Sequence, residues 1–215
     1  MKAHTEYIIM IHHALNLLFT ELEAYMQVRL GASTQQYVVQ GNVAQLEASN
    51  NQGLERKVII SLVNIEEEST LKNYPNHSRT LNNEVRYENP PVYLNLYLLF
   101  TANFPPENDD YVQALTRLSL VIEFFQGRYV FNLNNAPTYG NNLESPDVSD
   151  MQLILNLYTM TFEQINHLWG SLGGKQIPFV MYKARMVRML HRRQTGVGPL
   201  IEEITTNGRA TPPQR

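Results

Sequence analysis

RKVIISLVNIEEES, residues 56–69, is apolar on both of its alternating faces: Val58, Ile60 and Leu62 on one side, Ile59, Val63 and Ile65 on the other. A strand at a solvated surface alternates apolar with polar, so this pattern places a strand inside a sheet, covered on both faces. The rest of the chain must supply the cover.

Three more long strands follow. PPVYLNLYLLFTANFPP (90–106) is bracketed by prolines, which cannot donate to a sheet ladder. MQLILNLYTM (151–160) sets Leu153, Leu155 and Leu157 on one face, IPFVMYKARMVRML (177–190) is the fourth long strand, and YVFNL (129–133) is a short apolar piece. Between them lie helical patterns. Ile8, Ile11, Leu15, Leu18, Leu22 and Tyr25 form one stripe of a helix expected from Thr5 to Leu30, with Gly31 as its stop. ENDDYVQALTRLSLVIEFFQG (107–127) reads as a second, capped by Asn108 or Asp109, striped by Tyr111, Leu115, Leu118, Ile122 and Phe125, and ended by Gly127. A third begins after Thr161, where Thr161 and Gln164 have the spacing of a capping box and Met160 and Ile165 that of a hydrophobic staple. The segment from Glu66 to Pro91 is polar and shows no periodicity. Strands interspersed with helices give an α+β or α/β domain whose mixed sheet carries helices on at least one face.

With 215 residues, 43% of them apolar, the chain is long enough for one domain with a sizeable core. A formal charge of −3 gives no reason to expect nucleic acid as the main partner, and the absence of cysteine excludes disulfides and thiolate chemistry. The N-terminal apolar run is interrupted by histidines, Asn16, Glu21 and Glu23, so it reads as an amphipathic helix rather than a leader. No segment is apolar for long enough to span a bilayer, so a soluble protein without membrane insertion is expected.

WGSLGGKQIP (169–178) resembles a phosphate-binding loop, but only three residues separate Gly170 from Gly174, and Gln176 stands where a magnesium-binding Ser or Thr belongs. The loop also leaves a helix and enters a strand, the reverse of the phosphate-binding order. Gly173 and Gly174 are therefore expected to shape a turn. His12 and His13 are adjacent and fit no metal-ligand spacing, so neither metal nor cofactor is expected. Glu66, Glu67 and Glu68 form a carboxylate run at a strand end, without the partner that paired acid and base chemistry needs. Lys183, Arg185, Arg188, His191, Arg192 and Arg193 form a basic cluster free of acids. Alternation puts Lys183 and Arg185 on one face and Arg188 on the other. The cluster is either a solvated sheet end or a docking surface for an acidic protein.

SLVNIEEESTLKN, NPPVYLNLYLLFTANF, YVQALTRLSLVIEFFQ and FEQINHLWGSLGGKQIPFVMYKARMV, in that order, resemble the cap, or tail-terminator, family of phage-tail-like contractile injection systems. The run from Phe162 to Val187 is the most specific part. The resemblance implies a largely antiparallel α+β fold and a non-enzymatic role: a homo-hexameric ring that ends growth of the inner tube and closes the distal end of the sheath. It also implies synthesis in a bacterial cytoplasm and incorporation into a particle that can be released. A terminator must bind the last tube ring without offering a site for another, and sheath contacts in related machines use strands added between subunits.

On that basis the tail-terminator domain is expected over residues 1–193 and a C-terminal arm over 194–215. The arm's short apolar piece, Leu200, Ile201 and Ile204, is expected to pair with a neighbouring cap subunit or the last sheath ring. The other expected tube or sheath contacts are Lys183, Arg185, Arg188, Glu66, Glu67 and Glu68, and the polar segment from Glu67 to Pro91. Two rivals remain at the level of sequence: a hydrolase with a dispersed site including His167, Glu66 and Glu68, and a free-standing module that binds an acidic protein through the fourth strand.

Overall fold

The computed structural model of the chain describes residues 10–31, 34–46, 53–68, 77–79, 84–88, 92–105, 110–140, 151–173, 175–189 and 194–199; for 10, 77–79, 84–88, 140, 186–189 and 194–199 it describes the backbone alone. There are two compact units, one of residues 1–71 and 92–189 and the other of 72–91 and 190–215.

The first unit is built on a six-stranded sheet. Its strands are β1 (Val38–Gln40), β2 (Lys57–Glu67), β5 (Val92–Asn103), β6 (Val130–Asn132), β7 (Gln152–Leu157) and β8 (Phe179–Met189), in the order β1-β2-β5-β8-β7-β6. Only the β1–β2 pair is parallel. The fold is thus α+β with a mixed, largely antiparallel sheet. The four long strands are those read from the sequence, and YVFNL contributes the short edge strand β6.

Helices α1 (Met10–Leu30) and α2 (Asp110–Gly127) cover one face. Leu17, Leu18, Leu22 and Met26 from α1 and Val121, Phe124 and Phe125 from α2 meet Val58, Ile60, Leu96, Leu98 and Phe100 of the sheet in one core. The Phe125 ring lies 5.2 Å from Phe100 and 4.7 Å from Tyr182, so aromatic packing links α2 to both central strands. Gly31 ends α1 with φ of 95°, a conformation that a side chain would strain.

The buried stripe of α2 is rotated from the expected one. Ala114, Leu118, Val121 and Phe125 face inward, while Tyr111 (62% exposed), Leu115 (43%) and Ile122 (40%) remain at the surface. Apolar residues also stand on the outer side of this helix among Gln113, Thr116, Ser119 and Gln126, so its sequence offers two stripes. The aromatic pair Phe124 and Phe125 selects the inner one. The caps expected at Asn108 or Asp109 lie outside the described residues.

The second face is covered over part of its extent. Helix α4 (Phe162–Ser171) and the 3-10 turn Val43–Gln45 pack over Ile59, Leu99 and Met181. The capping box of α4 forms as read: the Thr161 hydroxyl accepts from Gln164 N, and the Gln164 side chain accepts from Thr161 N. The Ser61 hydroxyl donates to the Gly41 carbonyl at 2.6 Å and accepts from Val43 N at 3.2 Å, pinning the 3-10 turn to β2.

In the second unit, β3 (His77–Arg79), β4 (Glu84–Glu88) and β9 (Gln194–Pro199) form an antiparallel sheet in the order β3-β4-β9. The sequence gives no sign of these strands because their residues are mostly polar and Gly-rich, and backbone pairing alone defines them. The start of the expected arm therefore pairs within the chain, Val197 opposite Arg86. Leu200, Ile201 and Ile204 lie outside the described residues.

One buried carboxylate ties the first unit together. Glu21, 5% exposed, accepts from Arg128 Nη2 at 2.9 Å and from the backbone N–H groups of Thr138 and Tyr139, at the start of helix α3 (Pro137–Gly140). Arg128 also donates to the Asn135 carbonyl and lies over the Phe124 and Phe131 rings. Glu21→Ala would leave these donors without their acceptor inside the fold, and a loss of about 3 kcal/mol in unfolding free energy is expected, at the low end for a broken buried pair because Arg128 is partly solvated. Glu21→Gln, which keeps an acceptor oxygen, should lose about 1 kcal/mol. Urea denaturation of the two variants checks the order; equal losses would show that the charge, which both variants remove, is what matters rather than the acceptor oxygen that glutamine keeps.

Candidate functional site

The second face of the sheet changes character halfway along. Successive rows across β2, β5 and β8 begin with Ile59–Thr101–Phe179, and continue with Ser61–Leu99–Met181, beneath α4 and the 3-10 turn. The next row is Asn64–Tyr97–Lys183, extended to Asn156 on β7, and beyond it comes Glu66–Asn95. A polar basin therefore opens where the helical cover ends.

A β-bulge creates this row. The β2–β5 register shifts between Leu62 and Asn64, so Val63 is an extra residue on β2. Alternation past that point is inverted. Ile65 leaves the face it would share with Ile59 and Val63, pairs with Leu96 and is 45% exposed, which corrects the sequence reading of β2 as covered on both faces throughout. Glu66 and Asn64 take its place beside Tyr97. Glu67 pairs with Leu94, on the opposite face from Glu66.

The contacts join β2, β5 and β8. The Tyr97 hydroxyl donates to Glu66 Oε2 at 2.7 Å, and Lys183 Nζ lies 3.9 Å from the same oxygen. The ammonium also sits 5.2 Å from the Tyr97 ring centroid, and Tyr158 meets that ring edge-on at 5.1 Å. Asn95 Nδ2 donates to Glu68 Oε2 at 3.0 Å, and Glu68 N donates to the Tyr93 carbonyl at 2.8 Å. Burial, and then the bond to Glu66, push the Tyr97 hydroxyl up to about 12, so it stays a donor at neutral pH.

The structure thus brings together Glu66, Glu68 and Lys183 from the expected set. Arg185 is exposed on β8 opposite Ile154. The β5–β8 register shifts between Leu94 and Leu96, so counting by two from Lys183 does not carry across to Arg188, whose backbone pairs with Tyr93 and whose side chain lies outside the described residues. Sequence reasoning missed Tyr97 and Asn95. Their signal was present: both are polar-tipped residues inside an otherwise apolar strand.

His167 is exposed on α4. Two concavities lie elsewhere on the unit: a groove of about 420 Å³ between Tyr111, Leu115 and Phe179, and a smaller one of about 240 Å³ under Trp169 and Leu172. Neither is lined by His167, Glu66 or Glu68. Gly173, with φ of 110°, turns the chain after α4; Gly174 lies outside the described residues. Among the described residues no group of three or more His, Asp or Glu could hold a metal, and no helix is long and apolar enough to cross a membrane.

Tyr97→Phe tests the linkage at this site. A hydroxyl whose value is raised stabilises the fold fully below pH 10 and loses that contribution as pH rises through about 12. The variant should lose about 1 kcal/mol at neutral pH and show a smaller alkaline decline than the parent in chemical denaturation. An identical alkaline decline would contradict the assignment.

The family described as the Pvc16 N-terminal domain matches residues 14–203. Two of the solved structures that share the fold are as follows. One is the sheath/tube terminator of PVC, an extracellular contractile injection system, in its extended state, with 14% identity and a TM-score of 0.52 over 96% of this chain. The other is the tube-terminating cap of the anti-feeding prophage, with 13% identity and a TM-score of 0.53 over 94% of this chain. The chain spans 65% and 62% of their respective lengths. No curated protein matches the sequence.

Proposed function

Because the chain belongs to the Pvc16 N-terminal domain family, we propose that it caps a contractile injection system, ending the inner tube and closing the sheath as a ring of six copies. The observation that carries this reading is the shared fold: nearly all of this chain superposes on two proteins, one a sheath/tube terminator and the other a tube-terminating cap. The role is structural, and no turnover is involved.

The surface is suited to assembly. Along α2 the exposed residues Tyr111, Val112, Gln113, Leu115, Thr116, Ser119, Ile122 and Gln126 are uncharged, and the one exposed acid, Glu123, is held by Arg29 at 2.9 Å. Charge depletion with exposed aromatic and aliphatic side chains is the composition of an interface centre. This helix is our candidate for the contact between copies in the ring. The polar basin of Glu66, Glu68 and Lys183, with Arg185 beside it, is our candidate for the tube or sheath contact. Arg188, Glu67 and the segment up to Pro91 belong to the same proposal. Residues beyond Pro199, including Leu200, Ile201 and Ile204, are the proposed arm toward a neighbouring cap subunit or the last sheath ring.

Electron microscopy of particles from cells lacking the gene tests the reading. Overlong, ragged or sheathless tubes are expected, and restoring a chain that stops at Pro199 should correct tube length while leaving sheath occupancy low. Particles of unaltered length and sheath content without the gene would refute the cap. Full sheath occupancy with the shortened chain would remove the arm from the account.

A further inference from the structure

Phe162 is 87% exposed, although it opens a helix that is otherwise packed by its apolar side. The residues that dock α4 are others: Met160, Ile165, Leu168 and Trp169 lie in the core of the second face. The capping box of Thr161 and Gln164 fixes the backbone on both sides of Phe162. Its exposed neighbours Glu163, Asn166 and His167 are polar. The ring therefore stands as a single aromatic knob on a polar surface. A seated aromatic side chain buries about 150–250 Å², and here nearly all of that area is in water.

The groove of about 420 Å³ beside α2 has the complementary shape and chemistry. Tyr111, Leu115 and Leu118 form one wall, and Ile177, Pro178 and Phe179, where the chain enters β8, form the other; among the described residues no charged one lines it. The Pro178 carbonyl accepts from Ala102 N at 3.0 Å and Phe179 pairs with Thr101, so the second wall is fixed to β5. A cavity of about 150 Å³ already holds benzene, so the groove admits a phenyl ring. Phe162 does not fill the groove of its own chain, because its ring is in water. Knob and groove are distinct patches, one on the helix over the second face of the sheet and the other beside the helix over the first. A contact between unlike patches runs head to tail from copy to copy, and closes into a ring when the rotation between copies divides a full turn. A tube or sheath subunit would cover one patch and leave the other in water, whereas a second copy covers both in every copy of the ring.

We infer that Phe162 of each copy seats in the groove between Tyr111 and Phe179 of the next copy, so that the start of α4 meets α2 in a head-to-tail contact. The inference rests on the proposed role as a cap and supplies the second half of the contact between copies, of which α2 is the first. Phe162 is the anchor of that contact, and the polar residues around it form the rim that excludes water.

The test uses complete particles and the full chain. Photo-reactive benzoylphenylalanine replaces Phe162, and after irradiation the products are separated on a denaturing gel and their joined peptides identified by mass spectrometry. A ladder of covalently linked copies is expected, with position 162 joined to residues 111–118 or 176–179. Phe162→Ala and Leu115→Ala should each lower retention of the chain on washed particles on the order of tenfold, as for loss of an interface anchor. The double variant should lose little more than either, because both changes remove the same contact. Phe162→Ala should leave the melting temperature of the isolated chain unchanged, which a residue needed for the fold would not. Retention close to that of the parent for both variants overturns the inference. So does a cross-link from position 162 to a tube or sheath protein, one confined to a single copy, or one that joins α4 to α4. Absence of the parent chain from particles would refute the cap reading as well, whereas the other adverse results, on particles that carry the parent chain, remove this contact and leave the cap standing.

Discussion

A strand that is apolar on both faces cannot rest against water on either, and β5 imposes that requirement on the whole first unit. Leu96, Leu98 and Phe100 point to the helices α1 and α2, while Tyr97 and Leu99 point to the side of α4. Its neighbours β2 and β8 inherit the same demand. Everything else in the unit follows as cover: two long helices on one face, and a short helix with a 3-10 turn on the other. The buried carboxylate of Glu21 and the hydroxyl of Ser61 fasten the cover where packing alone would let it slide.

The cover on the second face is too short for the sheet. Helix α4 has ten residues and shields the rows near Trp169 and Met181, while farther along β2 Asn64 and Glu66 are exposed. The Val63 bulge decides what stands there. Without it, simple alternation would carry Ile65 and Glu67 to this face; with it, Asn64 and Glu66 arrive beside Tyr97 and Lys183. One extra residue thus sets polar side chains where alternation alone would put Ile65.

Much of the architecture was legible because it rests on short-range chemistry. The four long strands, the Thr161 capping box and the stop at Gly31 follow from alternation, side-chain oxygen placement and backbone freedom, which are local. The rotation of α2 was not legible, since Tyr111, Leu115 and Ile122 make as good a stripe as the one that is buried, and only the packing of Phe124 and Phe125 chooses between them. The register shifts in β2 and β8 left no mark in the sequence either, because a bulge is a property of paired strands. Of the site, the charged members Glu66, Glu68 and Lys183 could be named, but their meeting could not be derived. Tyr97 and Asn95 were passed over as parts of an apolar strand. The resemblance to cap proteins supplied the role, which neither periodicity nor charge could have provided.

The most direct test is a cryo-electron microscopy reconstruction of the distal end of the assembled particle. The account predicts a six-fold ring of this fold across the end of the inner tube, with the α2 surfaces between copies and the Glu66–Lys183 face against tube or sheath. A particle end closed by a different protein, or this chain found along the tube or at the opposite end, would contradict it.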